Sequence, residues 1–399
     1  MILWQILPIS FLFILLNLLF PLISSIELNL INFSINDFSL VLCIIPLIIL
    51  FSLYLFIISE LNYLNLLLIV ISSISGILCF ITTNIIYFFI LYELSIICLL
   101  FSLFIGSPYS ERSMAGWYFL GYLTIGGIPL LILCLYLSLT IDNLSYFNLT
   151  SSINYILFII FITKVPLFPF HSWLPIVHAE ANSYVSIMLS GYIMKLGLIG
   201  IYRYFYISGE YLKLYILIFF AFSVLFFFSS ICEIDNKRWL AFLSLGHISI
   251  GILGLFSLDI GSDSIVSIFG YGHGLSVFIL FYFFYIISNN LGSRNWLLIL
   301  HNNNNIINLI LVICLLSLIS FPPSVLFFCE LILFNSSIVV LSILFIFSLY
   351  IFFSLLPPIL NIGLLISRRL NTFSSNFYYN SIFLLFSILY LYFFGILYI

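Results

Sequence analysis

Apolar stretches long enough to cross a bilayer follow one another almost without pause from Met1 to Ile399, and only short polar clusters such as Ser110-Glu111-Arg112 separate them. About 20 apolar residues span the roughly 30 Å hydrocarbon layer, where no water takes up free peptide groups and the backbone must close its own hydrogen bonds. Runs of this length form helices, and a succession of them forms a bundle whose solvent is lipid. Only 6% of the residues are charged, against roughly a quarter in a soluble domain, so a water-facing globule is excluded.

The runs predict about thirteen spans, with cores near 4–23, 39–58, 62–83, 84–105, 115–139, 153–170, 182–204, 211–232, 239–257, 264–288, 304–333, 336–360 and 381–398. The expected fold class is an all-α polytopic membrane protein forming a single membrane domain over 1–399. The first run has no basic region before it and no small-residue cleavage site, so it reads as a retained span and not a signal peptide. The tract His301 to Asn305 reads as a polar loop. Cys43, Cys79, Cys98, Cys134, Cys232, Cys314 and Cys329 lie scattered in apolar runs without a CxxC pair, and read as small core hydrophobes. No phosphate-cradling glycine loop, HExxH, GxSxG or CxxCH occurs, so no redox centre is expected in the chain, and no basic patch points to nucleic acid. The abundance of Phe, Tyr, Ile, Leu, Asn and Ser suggests an AT-rich organellar genome.

If the spans alternate, Arg112, Lys237, Arg238, Arg294, Arg368 and Arg369 share one side, and Arg203 and Lys213 the other, with Glu27, Asp37, Asp142, Glu210, Asp259 and Asp263. The basic excess places the first set on the matrix or cytoplasmic side and the N-terminus with it.

Four charges fall inside the runs: Glu93 in "FFILYELSIICLL", Lys164 after "YILFIIFIT", Lys195 in "SIMLSGYIMKLGLIG" and Glu330 after "SFPPS". Each costs a few kcal/mol facing lipid, so each is expected to face protein, a partner charge or water. Structural ion pairing, or long side chains reaching an interface, would explain them without function. His171, His178, His247 and His273 lie in or near the same apolar segments, and the combined set favours proton transfer. Two unit charges about 4 Å apart at an effective dielectric near 20 attract by about 4 kcal/mol. Making and breaking a Glu93–Lys164 pair could therefore change whether the lysine holds its proton.

The stretch "TKVPLFPFHSWLPIVHAEA" (163–181) places Pro166 and Pro169 directly after Lys164, with His171, His178 and Glu180 beyond. Proline removes helical donors and exposes carbonyls, which is tolerated at membrane depth only around a protein-lined cavity. A second proline break occurs in "SFPPSVLFFCELILF" (320–334). Paired broken helices in the two halves of a membrane chain point to a transport site built from inverted repeats.

The stretch from Lys164 to Tyr204, with "LYELSIICLL", "ERSMAGWYFLGYLTIGGIPLLI", "NKRWLAFLSLGHISIG", "GYGHGLSVFILFYF" and "FPPSVLFFCELILF", resembles the antiporter-like subunits of the proton-pumping arm of respiratory complex I, NADH–ubiquinone oxidoreductase. The resemblance runs from about 90 to 335. The His-Ala-Glu-Ala sequence at 178–181 and Glu330 on the late broken helix resemble the chain 4 branch, whereas chains 2 and 5 carry a lysine there.

The resemblance implies inverted five-helix repeats with extra helices, placed near 84–232 and 236–360, with N-terminal helices over 1–83 and a C-terminal loop and helix over 361–399. It also implies roles: Glu93 and Lys164 as the ion pair, Lys195 as central relay, His171, His247 and His273 as connecting groups, and Glu330 as the terminal exchange residue. FMN, iron–sulfur clusters and ubiquinone would be bound by other subunits. The implied partners are other membrane-arm subunits, chains 2 and 5 among them, accessory subunits and lipids such as cardiolipin, at the mitochondrial inner membrane. A cation/proton antiporter subunit is the alternative. The pattern departs from the family in three places: one fewer helix before the Glu93 span, Asn182 where proline is usual, and "FPPSVLFF" in place of a glycine-rich break.

Overall fold

The computed structural model describes residues 28–30, 33–56, 62–140, 151–205, 210–256, 262–296, 305–322, 324–337 and 341–367. The predicted spans at 4–23 and 381–398, most of the polar tract at 301–305, and Glu27, Asp142, Asp259, Arg368 and Arg369 lie outside these residues.

A two-stranded antiparallel hairpin comes first, β1 (Leu28–Leu30) with β2 (Phe33–Ile35), pairing Leu28 with Ile35 and Leu30 with Phe33. It is a small departure from the all-α expectation. Phe33 also bridges to Thr82, so the hairpin is tied to the end of a helix and does not stand alone.

The helices follow: α1 (Asp37–Phe56), α2 (Tyr63–Ile81), α3 (Ile85–Gly106), α4 (Arg112–Thr140), α5 (Ser151–Lys164), α6 (Trp173–Glu180) and α7 (Ser183–Met188). A π-turn (Leu189–Ile193) joins α7 to α8 (Met194–Tyr204). Then come α9 (Glu210–Cys232), α10 (Asn236–Phe256), α11 (Ser262–Leu291), α12 (Asn305–Leu318), α13 (Val325–Ser337) and α14 (Leu341–Ser367). They coincide with the predicted spans except at the two proline breaks. The expected 153–170 stops at Lys164, the short α6 falls at 173–180 where no span was predicted, and 304–333 is interrupted between Leu318 and Val325.

Burial separates a centre from a lipid-facing shell. Ser183–Tyr204 is 100% buried over its most apolar stretch, while α4 and α14 are each 28% buried there. The central helix packs on α11, which also touches α1, α10, α12 and α13. A close approach lies at Gly274 of α11, where a Cβ would sit 2.9 Å from the Gly191 carbonyl oxygen of the π-turn. Only glycine permits that approach, and it brings α11 against the widened turn.

Candidate functional site

Lys164 is the last residue of α5, at the edge of the first break. Pro166 and Pro169 cannot donate to a helical ladder, and the chain runs through turns until Trp173. Tyr215 of α9 donates to the Phe168 carbonyl at 2.5 Å, satisfying one group that the break releases. The Lys164 ammonium is 2.8 Å from Glu93 Oε1 of α3 and lies 5.0 Å from the centre of the Tyr92 ring. The lysine side chain is 3% exposed and the glutamate 16%.

Gly126 and Gly127 of α4 make room for this pair. A Cβ on Gly127 would stand 3.0 Å from Glu93 Oε1, and one on Gly126 would press on Thr163 and stand 3.0 Å from Lys164 Cε.

Lys195, fully buried, follows the π-turn by two residues. Its Nζ donates to the Ser190 carbonyl at 2.5 Å and lies 3.0 Å from His273 Nδ1 on α11. A π-turn widens the helix and leaves carbonyls free for such a contact. The His273 ring is 5.8 Å from that of His247 on α10. His247 Nδ1 lies 2.6 Å from the Tyr350 hydroxyl of α14. Beyond it, on α13, Glu330 Oε2 accepts from the Ser320 hydroxyl at 2.6 Å. Ser320 sits in the second break with φ 58°, a left-handed conformation that turns the chain back toward α13. Among the described residues, His247 Nε2, His273 Nε2 and Glu330 Oε1 are buried without a protein partner.

The structure thus gathers the predicted residues into two groups. Glu93 and Lys164 form one; Lys195, His273 and His247 form the other, with Glu330 at its far end. Val165, beside Lys164, occupies the space above Gly197 of α8, so the first break packs on the helix that carries Lys195. His171 stands apart from both: its ring lies against Phe168 and Phe226, and its Nδ1 has no partner. His178 is fully buried and stacks on Phe281 at 5.1 Å.

Composition hid several participants. Tyr350 is one tyrosine among 26 and carries no sequence signal. Gly126-Gly127 could have been read from two adjacent glycines in an apolar helix. Lys237 was expected in a loop on the basic side; it is 3% exposed and donates to the Ala181 carbonyl at 2.7 Å.

Lys237 belongs to a cluster that holds the C-terminal end of α6. Ser107 donates to the Glu180 carbonyl at 2.5 Å, Arg294 donates to the Ala179 carbonyl, and Asn182 donates to the Gly106 carbonyl. Cations at a helix C-terminus also meet the negative end of its dipole. The Arg294 guanidinium lies 3.8 Å from the Tyr109 ring centre and 3.6 Å from Asp235. Burial pushes the Tyr109 phenol above its ordinary range, with Arg294 opposing. At the other end of α3, about 33 Å away at 1.5 Å per residue, Arg203 donates to the Phe80 carbonyl at 2.6 Å and to the Thr82 carbonyl. Arg112, Lys237 and Arg294 therefore share one end of the bundle, and Arg203 occupies the opposite one.

Residues 82–357 match the family described as NADH:quinone oxidoreductase/Mrp antiporter, TM. The chain is 29% identical over 225 residues to NADH-ubiquinone oxidoreductase chain 4 of Rhipicephalus sanguineus, covering 55% of this chain and 52% of that one. It is 30% identical over 273 residues to the chain 4 protein of Ceratitis capitata, covering 65% and 61%. The chain thus spans about half to two thirds of the length of these relatives. Its fold is similar to that of a chain of respiratory complex I from Thermus thermophilus, with TM-score 0.83 and 17% identity over 96% of this chain and 88% of that one. A chain of the Mrp complex from Dietzia is also similar, with TM-score 0.77 and 14% identity over 93% and 76%.

Proposed function

Because this chain belongs to the NADH:quinone oxidoreductase/Mrp antiporter transmembrane family, we propose that it is a proton-translocating membrane subunit of a respiratory NADH:ubiquinone oxidoreductase. The observation that carries this reading is the line Lys195, His273, His247, buried at the centre of the bundle, together with a buried Glu93–Lys164 pair at the first break. A buried lysine bonded to an imidazole is a donor facing an acceptor, and neutral histidine takes a proton on one ring nitrogen while offering one from the other. Proton passage between Lys195 Nζ and His273 Nδ1 needs no movement of the backbone.

The Glu93–Lys164 pair would set the direction. With the pair closed, the Lys164 charge is compensated; opening it leaves an uncompensated cation beside the break, which repels a proton on the central line. Glu330 would be the exchange group at the far end, His171 a side branch near the break. Work for these steps would come from redox chemistry in other subunits, which would hold the flavin, the iron–sulfur clusters and the quinone. The partners on this reading are the other antiporter-like chains of the membrane arm, accessory subunits and anionic lipids such as cardiolipin, in the mitochondrial inner membrane. The Arg112, Lys237 and Arg294 end would face the matrix, by the positive-inside rule.

The test is native electrophoresis of the membranes that make this chain, followed by mass spectrometry of its band. Co-migration with NADH dehydrogenase activity and with flavin and iron–sulfur subunits is expected; migration alone or with transporters would refute the assignment. The likeness to a chain of an Mrp complex favours one second reading, a cation/proton antiporter subunit. Sodium-dependent proton movement in vesicles without NADH would support it.

A further inference from the structure

We propose that the Tyr350 hydroxyl is the proton bridge between His247 and Glu330, an inference that rests on the translocation reading above. Four observations support it. The hydroxyl is 2.6 Å from His247 Nδ1, closer than any other polar atom recorded at that ring. Tyr350 is fully buried, and Glu330 Oε1 is buried without a protein partner. Its helix α14 packs on α13, which carries Glu330, through Phe347 and Phe334 at 5.5 Å. The ring packs against Phe220 at 5.3 Å, Phe227 at 5.3 Å and Phe347 at 5.9 Å, so packing as well as the hydrogen bond aims the hydroxyl.

A phenol suits this place because it accepts and donates at one oxygen. The step balances without a charged tyrosine. The His247 Nδ1–H bond breaks as an O–H bond forms on Tyr350, the original phenolic O–H breaks toward the Glu330 carboxylate, and the phenol is neutral before and after. The proton leaving His247 is replaced at Nε2 from His273. In the resting state neutral His247 carries its proton on Nδ1 and donates it to the phenol oxygen, so Nε2 is the open acceptor at which the relay is loaded.

The test is Tyr350→Phe in the assembled complex, which removes one oxygen and keeps the ring in its aromatic cage. Coupled turnover in proteoliposomes is expected to fall by about a hundredfold or more, in the range of a lost proton-transfer group. Rates are normalised to assembled complex, so reduced assembly does not count as an effect. Phe220→Leu loosens the same cage and leaves the hydroxyl, and is expected to retain most of the activity. An equal loss in Phe220→Leu would overturn the proposal in favour of packing. Wild-type turnover in Tyr350→Phe, with Lys195→Met inactive, would overturn it and leave the translocation reading intact. Wild-type turnover in Lys195→Met would overturn that reading, and the proposal with it.

Discussion

Replacing Glu93 by Gln should cost more than replacing Lys164 by Met, although both remove the same ion pair. At 2.8 Å and an effective dielectric near 20, the attraction is about 6 kcal/mol. What survives each change differs. Glu93→Gln leaves the ammonium of a lysine that is 3% exposed, beside the Tyr92 ring, and an unpaired buried charge costs about 3–5 kcal/mol. Lys164→Met puts an apolar chain of similar length in that space and strands only a carboxylate that is 16% exposed, so about half that cost is expected. The double variant strands no charge and should lie nearer Lys164→Met than Glu93→Gln. The assay is thermal inactivation and yield of assembled complex for the two single variants and the double, scored as a double-mutant cycle. Coupled proton transport is read in parallel, and is expected to be lost in all three. Equal penalties for the single variants, or simple addition in the double, would refute the reasoning that burial asymmetry governs this pair.

Gly127→Val and Gly126→Val should each destabilise the region by about 1–3 kcal/mol through overpacking against Glu93 and Lys164. Gly121→Ala on the same helix, with nothing within 4 Å of its Cβ, should be silent or slightly stabilising; assembled-complex yields compare them. Lys237→Met should lower thermal stability by about 1–3 kcal/mol by freeing the Ala181 carbonyl at the end of α6, which a melting curve of the solubilised complex reads. Cys232 is the one exposed cysteine among the seven. It closes α9 near the Asp235–Arg294 end, so a membrane-impermeant maleimide should label it from the matrix side only; labelling from the other side would invert the proposed orientation.

The fold class was legible because lipid removes alternatives. Apolar runs of bilayer length must be helical, and the two proline clusters had to interrupt them. The central ionisable residues were legible for the same reason, since a charge inside such a run stands out against its cost. What the sequence left open is which of them meet. Glu93 and Lys164 are 71 residues apart and Lys195 and His273 are 78 apart, separations that only the packing of α3 on α5's neighbour α4, and of the π-turn on α11, brings to bonding distance. His171 carried the same signal as His247 and His273, yet its ring was turned onto phenylalanines. Tyr350, Ser320 and Lys237 gave no warning, because a tyrosine, a serine or a lysine at a helix end costs little until tertiary structure buries it. The sequence by itself determined that helices form and that buried charge must be compensated. Only the tertiary structure decided by which partner, because a hydrogen bond depends on ångström placement that no periodicity encodes.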